Sequence, residues 1–261
     1  MRVAVLGLGE AGSLFAVDLV AGGAEVSGFD PAPVPTPAGV LRCADPAAAV
    51  AGADLVLAVT SAAHAGVVFD ATIGATAPGA VFADLTTSPP AAKAERAERA
   101  RAGGRAFVDV ALMAPVPGRG LRTPALASGP GAERYVATLR PLGAPVEAIG
   151  PDAGDATTRK LLRSVTMKGL AAIVTEALRA ADAAGLSGWL WADLVGEITA
   201  ADEKLLVRLV EGTGVHAARR VDEMEACAAM LESLGVDPLM TRATVESLRR
   251  VVADGVPNVP G

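Results

Sequence analysis

The first half of the chain alternates short apolar runs with longer alanine-rich stretches. The continuous apolar runs, which we predict to be strands, lie at residues 3–6, 25–29, 55–60, 80–84 and 105–110. The stretches between them that we predict to be helices are residues 11–21, 62–75 and 89–102, and the alternating charges and alanines of 93–105 predict a solvent-exposed face. Strands that are apolar throughout and separated by helices are typical of a parallel sheet covered on both faces.

The pattern changes near residue 151. Before that point a second strand–helix–strand set is predicted at residues 125–128, 131–139 and 144–149, and the four prolines of residues 31–39 predict a loop. From residue 155 onward we predict no strand, and helical periodicity continues through residue 184 and then over 191–211, 217–234 and 241–253. We therefore expect an α/β domain, residues 1–151, followed by an all-α domain, residues 152–261.

Composition narrows the classes of protein that fit this pattern. Of the 261 residues, 51% are hydrophobic, which excludes intrinsic disorder, and the net charge of -6 gives no electrostatic footprint for nucleic acid. No run reaches the ~18 apolar residues of a membrane span, and the first residues lack the core and cleavage site of a signal peptide. Two cysteines and two histidines argue against a disulfide scaffold or a zinc site. We expect a cytoplasmic protein without a metal, nucleic-acid or membrane partner.

A glycine motif joins the first predicted strand to the first predicted helix. We assign all of its residues to a cofactor site: Gly7, Leu8, Gly9, Glu10, Ala11 and Gly12. In a GxGxxG turn Gly7 permits the tight turn, Gly9 lets the backbone approach a pyrophosphate, and Gly12 lets the helix pack on the strand. The helix N-terminus offers unpaired N–H groups to the phosphates. The pattern predicts a Rossmann-type dinucleotide-binding domain, the alternative being a purely structural turn.

Three further positions bear on the cofactor. Asp30 ends the second predicted strand, where a carboxylate accepts hydrogen bonds from both ribose hydroxyls of NAD and repels a 2′-phosphate, so we expect NAD while NADP stays open. Thr60 and Ser61 end a later strand at the edge where cofactors bind. A strand-ending turn is the alternative for them.

Motifs farther along the chain resemble one family. The segment 84–89 (Asp-Leu-Thr-Thr-Ser-Pro) is similar to the Asp-x-Ser-Thr-x-x-Pro motif of the β-hydroxyacid dehydrogenases, relatives of 6-phosphogluconate and 3-hydroxyisobutyrate dehydrogenases. Residues 154–164 resemble their G-x-G-x-x-x-K-x-x-N-N helix, and Glu176 and Gly185-Leu186 recur at the family's distances from that lysine. The resemblance covers residues 1 to about 190 well and the rest only in helical character, which indicates a divergent subfamily with a modified C-terminal domain.

The resemblance implies roles for single residues. It makes Lys160 the general acid or base, and Ser164, which stands where relatives have an asparagine, the hydrogen-bond partner of the substrate oxygen. Lys160, Ser164 and Lys168 share one helix face at i, i+4 and i+8. The alternative is that both lysines are solvated positions on an amphipathic helix.

Substrate contacts follow less directly. We expect Thr86 to contact the cofactor and Thr87 the substrate, the alternative being that both cap the helix that begins near Pro89. The family's substrate loop, Asp-x-Pro-Val-Ser-Gly-Gly, is replaced here by residues 109–115, so Met113 and Ala114 are substrate candidates, and Pro115 lacks the N–H that a glycine offers to a carboxylate. Arg220 is a further candidate, reaching an anionic substrate across a subunit interface, or else a solvated residue.

The leading hypothesis is an NAD(P)-dependent oxidoreductase acting on a small hydroxy acid or a related alcohol or carbonyl compound. An imine reductase-like enzyme is one alternative, although those enzymes usually carry aspartate or tyrosine where Lys160 stands. A decarboxylating sugar-phosphate enzyme normally has a far larger helical domain, and a catalytically silent NAD-binding protein is the alternative outside enzymes. We also expect a homodimer formed mainly through residues 155–250, because the long first helix would not bury its apolar stripe alone.

Overall fold

The computed structural model describes residues 1–259. The chain divides into two compact units, Met1–Arg163 and the residues from Ser164 onward. The change from strands to helices that the sequence predicts near residue 151 lies between the last strand and the following helix, whereas the units divide within that helix.

The first unit is built on an 8-stranded sheet of order β3-β2-β1-β4-β5-β6-β7-β8. Its strands are β1 (Arg2–Leu6), β2 (Glu25–Phe29), β3 (Val40–Arg42), β4 (Leu55–Ala58), β5 (Val81–Asp84), β6 (Ala106–Leu112), β7 (Ala125–Ser128) and β8 (Val146–Ala148). Neighbouring strands are parallel, apart from the antiparallel β6–β7 pair. The carboxyl ends of β1 to β6 therefore meet at one edge, the edge at which open α/β sheets bind ligands.

Helices cover both faces of the sheet. They are α1 (Glu10–Ala21), α2 (Pro46–Val50), α3 (Ala65–Ile73), α4 (Pro90–Ala102) and α5 (Ala132–Leu139). Along β1 the side chains of Val3 and Val5 enter one apolar cluster, and those of Ala4 and Leu6 enter the other. Because both faces are buried, each central strand is a continuous apolar run, and the predicted Rossmann-type sheet is confirmed.

The sequence pattern missed β3 and α2. The three residues of β3 are exposed or half-buried and form no apolar run, so hydrophobicity alone does not reveal the strand. A local signal for α2 was present, since the Asp45 side chain accepts a hydrogen bond from the Ala48 amide at 2.8 Å and Pro46 begins the helix.

The rest of the chain is helical, as predicted. It forms α6 (Asp155–Ala183), which begins in the first unit, then α7 (Ser187–Thr199), α8 (Glu203–Ser233) and α9 (Leu239–Asp254). Within residues 1–259 no strand follows Ala148. No helix in this part of the chain has both the length and the apolar character needed to cross a membrane.

The helix breaks of the second unit differ from the predicted ones. The expected interruption at residues 212–216 is wrong, because α8 continues through both Gly212 and Gly214. The break lies earlier, where the Asp202 carboxylate accepts hydrogen bonds from the amides of Lys204 and Leu205 and begins α8. Gly214 serves packing instead, since a Cβ there would lie only 3.0 Å from a Val256 methyl group.

Candidate cofactor site and active site

The glycine turn after β1 has the geometry that a dinucleotide requires. Gly7 has φ +98°, and a Cβ there would lie 2.4 Å from the Val59 carbonyl oxygen. A Cβ at Gly12 would lie 1.9 Å from the Gly7 carbonyl oxygen, so α1 can approach the turn this closely only because residue 12 is glycine. At Gly9 an added Cβ meets no atom within 4 Å, so the space beside the N-terminus of α1 is open to a phosphate.

The carboxylate of Asp30 lies against this turn. One oxygen accepts a hydrogen bond from the Leu8 amide at 2.8 Å, and the other accepts one from the Ala32 amide at 2.8 Å. The half-buried Asp30 therefore joins the glycine turn to the proline-rich loop that follows β2. This loop and the first turns of α1 line an open cleft.

Arg42 supports the same loop, and the sequence analysis did not identify it. Its guanidinium donates to the carbonyl oxygens of Asp30 at 2.9 Å, Ala32 at 2.6 Å and Val34 at 2.6 Å. Arg42 reaches them because β3 pairs in parallel with β2, an arrangement that no local pattern revealed. An arginine beside Asp30 is thus present, but it donates to the loop, to three backbone carbonyl oxygens and to the Thr36 hydroxyl.

The candidates after β4 lie at the carboxyl edge of the sheet. Thr60 is half-buried, and Ser61 is exposed and shares a hydrogen bond of 2.8 Å with His64 Nδ1. Leu8 and Glu10 belong to the glycine turn and the first turn of α1, while Ala11 is half-buried behind them.

The threonines after β5 separate into two environments. Thr86 is buried, and its hydroxyl donates to Asp84 Oδ1 at 2.7 Å and shares a hydrogen bond of 2.8 Å with the Ser88 hydroxyl. The side chain of Thr87 is exposed. The Thr86 hydroxyl thus holds the turn after β5, and Thr87 faces solvent at its surface.

Four charged side chains are buried together below this turn. Lys93 Nζ lies 2.9 Å from Asp84 Oδ1 and 3.2 Å from Asp109 Oδ1, and Arg96 donates to Asp84 Oδ2 at 2.8 Å. The expectation of a solvent-exposed face over 93–105 is therefore wrong at Lys93 and Arg96. Helix α4 turns these cations toward two carboxylates, Asp84 at the end of β5 and Asp109 opposite it within β6. Burial alone would raise the pKa of Asp84, but the Lys93 ammonium and the hydrogen bonds from Thr86 and Lys93 hold it below its ordinary value.

Asp109 also holds the beginning of α6. Its Oδ2 accepts hydrogen bonds from the amides of Gly154 at 3.1 Å and Thr157 at 2.9 Å, and its Oδ1 accepts one from the Thr157 hydroxyl at 2.6 Å. Gly154 has φ +110°, and a Cβ there would lie 2.8 Å from the Pro90 carbonyl oxygen. These contacts explain why the first turns of α6 belong to the sheet unit.

Lys160 and Ser164 follow on α6. Lys160 is half-buried one turn after Thr157, and Ser164, one turn later, accepts a hydrogen bond of 3.3 Å from Lys168 Nζ. The helix predicted around these residues is present, so the three share the i, i+4, i+8 face.

The substrate-loop candidates contact the same helix. Met113 and Ala114 are half-buried after β6, and the Arg163 guanidinium donates a short hydrogen bond to the Met113 carbonyl oxygen. Arg163, which stands three residues after Lys160, was not singled out from the sequence. Its signal was available there, since it occupies the position of the family's first asparagine.

Arg220 lies in the second unit. It is half-buried on α8, and its guanidinium donates to the Thr213 hydroxyl of the same helix.

Comparison with known proteins shows which family this architecture belongs to. Residues 2–123 match the family model described as the NAD binding domain of 6-phosphogluconate dehydrogenase, and residues 181–251 match a domain of unknown function (DUF1932). A conserved hypothetical protein from Sinorhizobium meliloti is 30% identical, with 97% of this chain and 89% of that one covered and a TM-score of 0.62. The chain belongs to the 6-phosphogluconate dehydrogenase-like superfamily.

Two other similarities concern the fold and part of the sequence. A Streptomyces aurantiacus imine reductase shares the fold of this superfamily member, with a TM-score of 0.81 at 21% identity over 99% of this chain and 96% of that one. An uncharacterized 28.5 kDa protein of Methanothermus fervidus is 31% identical over 117 residues, 43% of this chain. The match spans 45% of that relative, somewhat less than half its length. The superfamily member thus carries an NAD-binding domain, and its cofactor is a nicotinamide dinucleotide.

Proposed function

We propose that this protein is a nicotinamide-dependent oxidoreductase that acts on a small hydroxy acid, or on the related carbonyl compound, with Lys160 as general acid and base. One observation carries the proposal: Asp109 fixes the first turn of α6 at the carboxyl edge of the sheet, where the glycine turn also opens. Lys160 follows one turn later on the same unit. A dinucleotide-binding edge and a lysine-bearing helix anchored to it are the two parts that such a reaction needs.

The cofactor would be held by groups already in place. The glycine turn would take the pyrophosphate, and Asp30 would accept hydrogen bonds from the adenosine ribose, which favours NAD over NADP. Thr60, Ser61 and Thr86 stand after the adjacent strands and would border the nicotinamide half. The nicotinamide ring supplies hydride transfer, which leaves only a proton for the protein to move.

Lys160 is proposed to move that proton. Oxidation of an alcohol needs a base for the hydroxyl proton, and reduction of a carbonyl needs an acid for the new alkoxide. An amine in a partly desolvated place serves both, since burial disfavours its charged form. The Ser164 hydroxyl would hydrogen-bond the same substrate oxygen, and the Lys168 ammonium beside it would orient that hydroxyl.

Arg163 supports a substrate that carries a carboxylate. The loop of residues 113–115 includes a proline where relatives offer backbone N–H groups, and the Arg163 guanidinium contacts that same loop at the Met113 carbonyl oxygen. A guanidinium has five N–H donors and matches a carboxylate bidentately. We propose that it takes over the role of the missing backbone donors, with Thr87, Met113 and Ala114 bordering the substrate and Arg220 of a second subunit as a further contact.

Imine reduction is the second candidate, because the fold is shared with an imine reductase over nearly the whole chain. A protonated lysine can donate to either an alkoxide or an imine nitrogen, so the chemistry of Lys160 does not by itself separate the two reactions, although imine reductases usually carry aspartate or tyrosine at that position. Arg163 does separate the two reactions, because a neutral cyclic imine has no carboxylate for its guanidinium to bind.

One assay panel distinguishes these functions. Small 2- and 3-hydroxy acids are offered with NAD, and cyclic imines with NADH and with NADPH, and the absorbance at 340 nm is followed. Turnover of hydroxy acids, with matched alcohols lacking the carboxylate at least about tenfold poorer, is expected. Turnover of imines alone would replace the proposal by the second candidate. Tight NADH binding without any turnover would indicate a catalytically silent binding protein.

A further inference from the structure

A chain of buried polar contacts joins the turn after β5 to the beginning of α6. Lys93 and Asp109 are 0% exposed and Asp84 is 2% exposed, yet all three carry charge. The Lys93 ammonium lies between the two carboxylates, and its third partner is the Asp84 carbonyl oxygen at 2.7 Å. Asp109 then accepts hydrogen bonds from the amide and the hydroxyl of Thr157. None of Asp84, Lys93, Asp109 and Thr157 is among the cofactor or substrate contacts proposed above, although Asp84 accepts a hydrogen bond from Thr86, which is.

Stability alone does not account for such an arrangement. Burying charges costs several kcal/mol per ion before pairing, and well-packed apolar residues of similar volume often stabilise a fold equally well or better. Apolar side chains in place of these charges would not fix an orientation, because apolar contacts are non-directional. Hydrogen bonds to the two oxygens of one carboxylate fix both the position and the rotation of the helix turn that donates them.

The rotation of that turn sets where Lys160 lies. Thr157 and Lys160 stand at i and i+3, so they occupy the same side of α6. A rotation of the first turn therefore changes the position of Lys160. Asp109 is in turn held in register with Asp84 by the pairing of β5 and β6 and by the shared Lys93. The position of the Lys160 side of α6 is thus set by the end of β5 and by the residue of β6 that pairs with it.

We infer that Thr157 and Asp109 are positioning residues for Lys160, and that the buried Lys93 holds the Asp109 carboxylate in the orientation this requires. The inference rests on the proposed function of Lys160. It adds that the rate and the pH dependence of turnover depend on a hydrogen bond that touches neither substrate nor cofactor.

The test uses the mildest change in the chain of contacts. Substitutions of Lys93 or Asp109 leave buried charge unpaired and unfold the protein too readily to be informative. Thr157→Val keeps the side-chain shape but removes the hydroxyl donor, whereas Thr157→Ser keeps the donor. We expect Thr157→Val to lower kcat by about 10- to 100-fold, the scale of a small misplacement of a catalytic group, with the KM for NAD unchanged. The apparent pKa in its kcat–pH profile should shift. Thr157→Ser should restore kcat to within about threefold of the wild type and return the apparent pKa to the wild-type value.

A matched control lies elsewhere in the chain. Thr241 begins α9 and donates its amide, at 2.8 Å, and its hydroxyl, at 2.7 Å, to one buried carboxylate, that of Glu176, so it repeats the chemistry of Thr157. Thr241→Val should lower the melting temperature about as much as Thr157→Val without moving the kcat–pH profile. A shift of equal size in both profiles, or a Thr157→Val enzyme with unchanged kcat and profile, overturns the inference.

The inference and the proposed function fail differently. If Lys160→Ala abolishes turnover while Thr157→Val changes only the melting temperature, the function stands and the positioning role is refuted. If Lys160→Ala leaves turnover intact, the proposed function itself is refuted, whatever Thr157→Val does.

Discussion

The Asp30 carboxylate accepts a hydrogen bond from the Leu8 amide at 2.8 Å, across 22 residues of sequence. The carboxylate that we propose to bind the ribose and the glycine turn that we propose to bind the pyrophosphate are therefore directly connected in this protein. Arg42 completes it by holding the backbone on the other side of Asp30, at the Asp30 and Ala32 carbonyl oxygens.

This arrangement leads to a prediction about cofactor choice. NAD(H) should bind at least about tenfold more tightly than NADP(H), or about 1.4 kcal/mol, because Asp30 repels a 2′-phosphate and the Arg42 guanidinium is engaged by the loop. Fluorescence titration with both cofactors measures this. Asp30→Ala should narrow the gap, and Arg42→Ala should weaken both cofactors together by loosening the loop. A preference of the wild type for NADP(H) would refute the role given to Asp30.

Sequence reasoning succeeded where one local pattern carries the structure. The strands of the sheet unit other than β3 were predicted, and the central ones stand out because burial on both faces makes each an apolar run, as in Leu55–Ala58. The glycine turn was predicted because steric demands at Gly7 and Gly12 leave a fixed sequence pattern. The helix that carries Lys160 was predicted from its helical periodicity and from its resemblance to the family motif.

The rest depends on pairings across long sequence separations. Lys93 looks like one of several exposed charges on α4 until β5 and β6 place two aspartates beneath it. Arg42 meets Asp30 only through the pairing of β3 with β2. The glycines at 212 and 214 suggest a helix break, yet α8 continues because glycine costs only about 1 kcal/mol in a helix and the close approach of Val256 needs a small residue.

A second prediction concerns acid stability. Burial would raise the pKa of Glu176, but hydrogen bonds from the Thr241 side chain and from the amides of Met240 and Thr241 hold that pKa below its ordinary value. Since the folded pKa is the lower one, this carboxylate stabilises the fold above the unfolded value and loses that contribution as the pH falls through the folded value. Glu176→Gln should lower the free energy of unfolding by about 1–3 kcal/mol near neutral pH. Thermal unfolding by circular dichroism should show the difference from wild type shrinking below about pH 4; a difference independent of pH would contradict this.

A third prediction concerns assembly, which we propose to be a homodimer. None of the residues of α7 is buried in the single chain, and Trp191 is 58% exposed beside other large apolar side chains. Such a helix needs a partner surface. Light scattering should give about twice the 26.1 kDa of one chain. Trp191→Asp should shift the protein toward monomer, whereas Val67→Asp, at a 69% exposed position on α3 of the other unit, should not. A wild type of single-chain mass at micromolar concentration would refute the dimer.

A fourth prediction concerns substrate charge. Arg163→Met keeps the aliphatic length of the side chain but removes the guanidinium, so KM for a hydroxy acid should rise by about 10- to 100-fold while KM for NAD stays the same. Arg163→Lys should recover only part of the loss, because an ammonium cannot match a carboxylate bidentately. Steady-state kinetics with an acid and with its uncharged amide gives the decisive comparison. Equal losses for both would mean that Arg163 acts only by holding the Met113 loop.

The last prediction concerns Lys160 itself. If its amine transfers the proton, Lys160→Ala should reduce kcat by roughly 10²–10⁴, the usual range for a positioned acid or base. NAD binding should be nearly unchanged, because the glycine turn and Asp30 hold the cofactor without it. Lys160→Arg should not rescue turnover, since a guanidinium does not release its proton near neutral pH. Lys168→Ala is the comparison on the same helix face: it loses only the contact with Ser164 and should cost less than about tenfold. A Lys168→Ala enzyme without turnover beside an active Lys160→Ala enzyme would move the acid–base role two turns along α6.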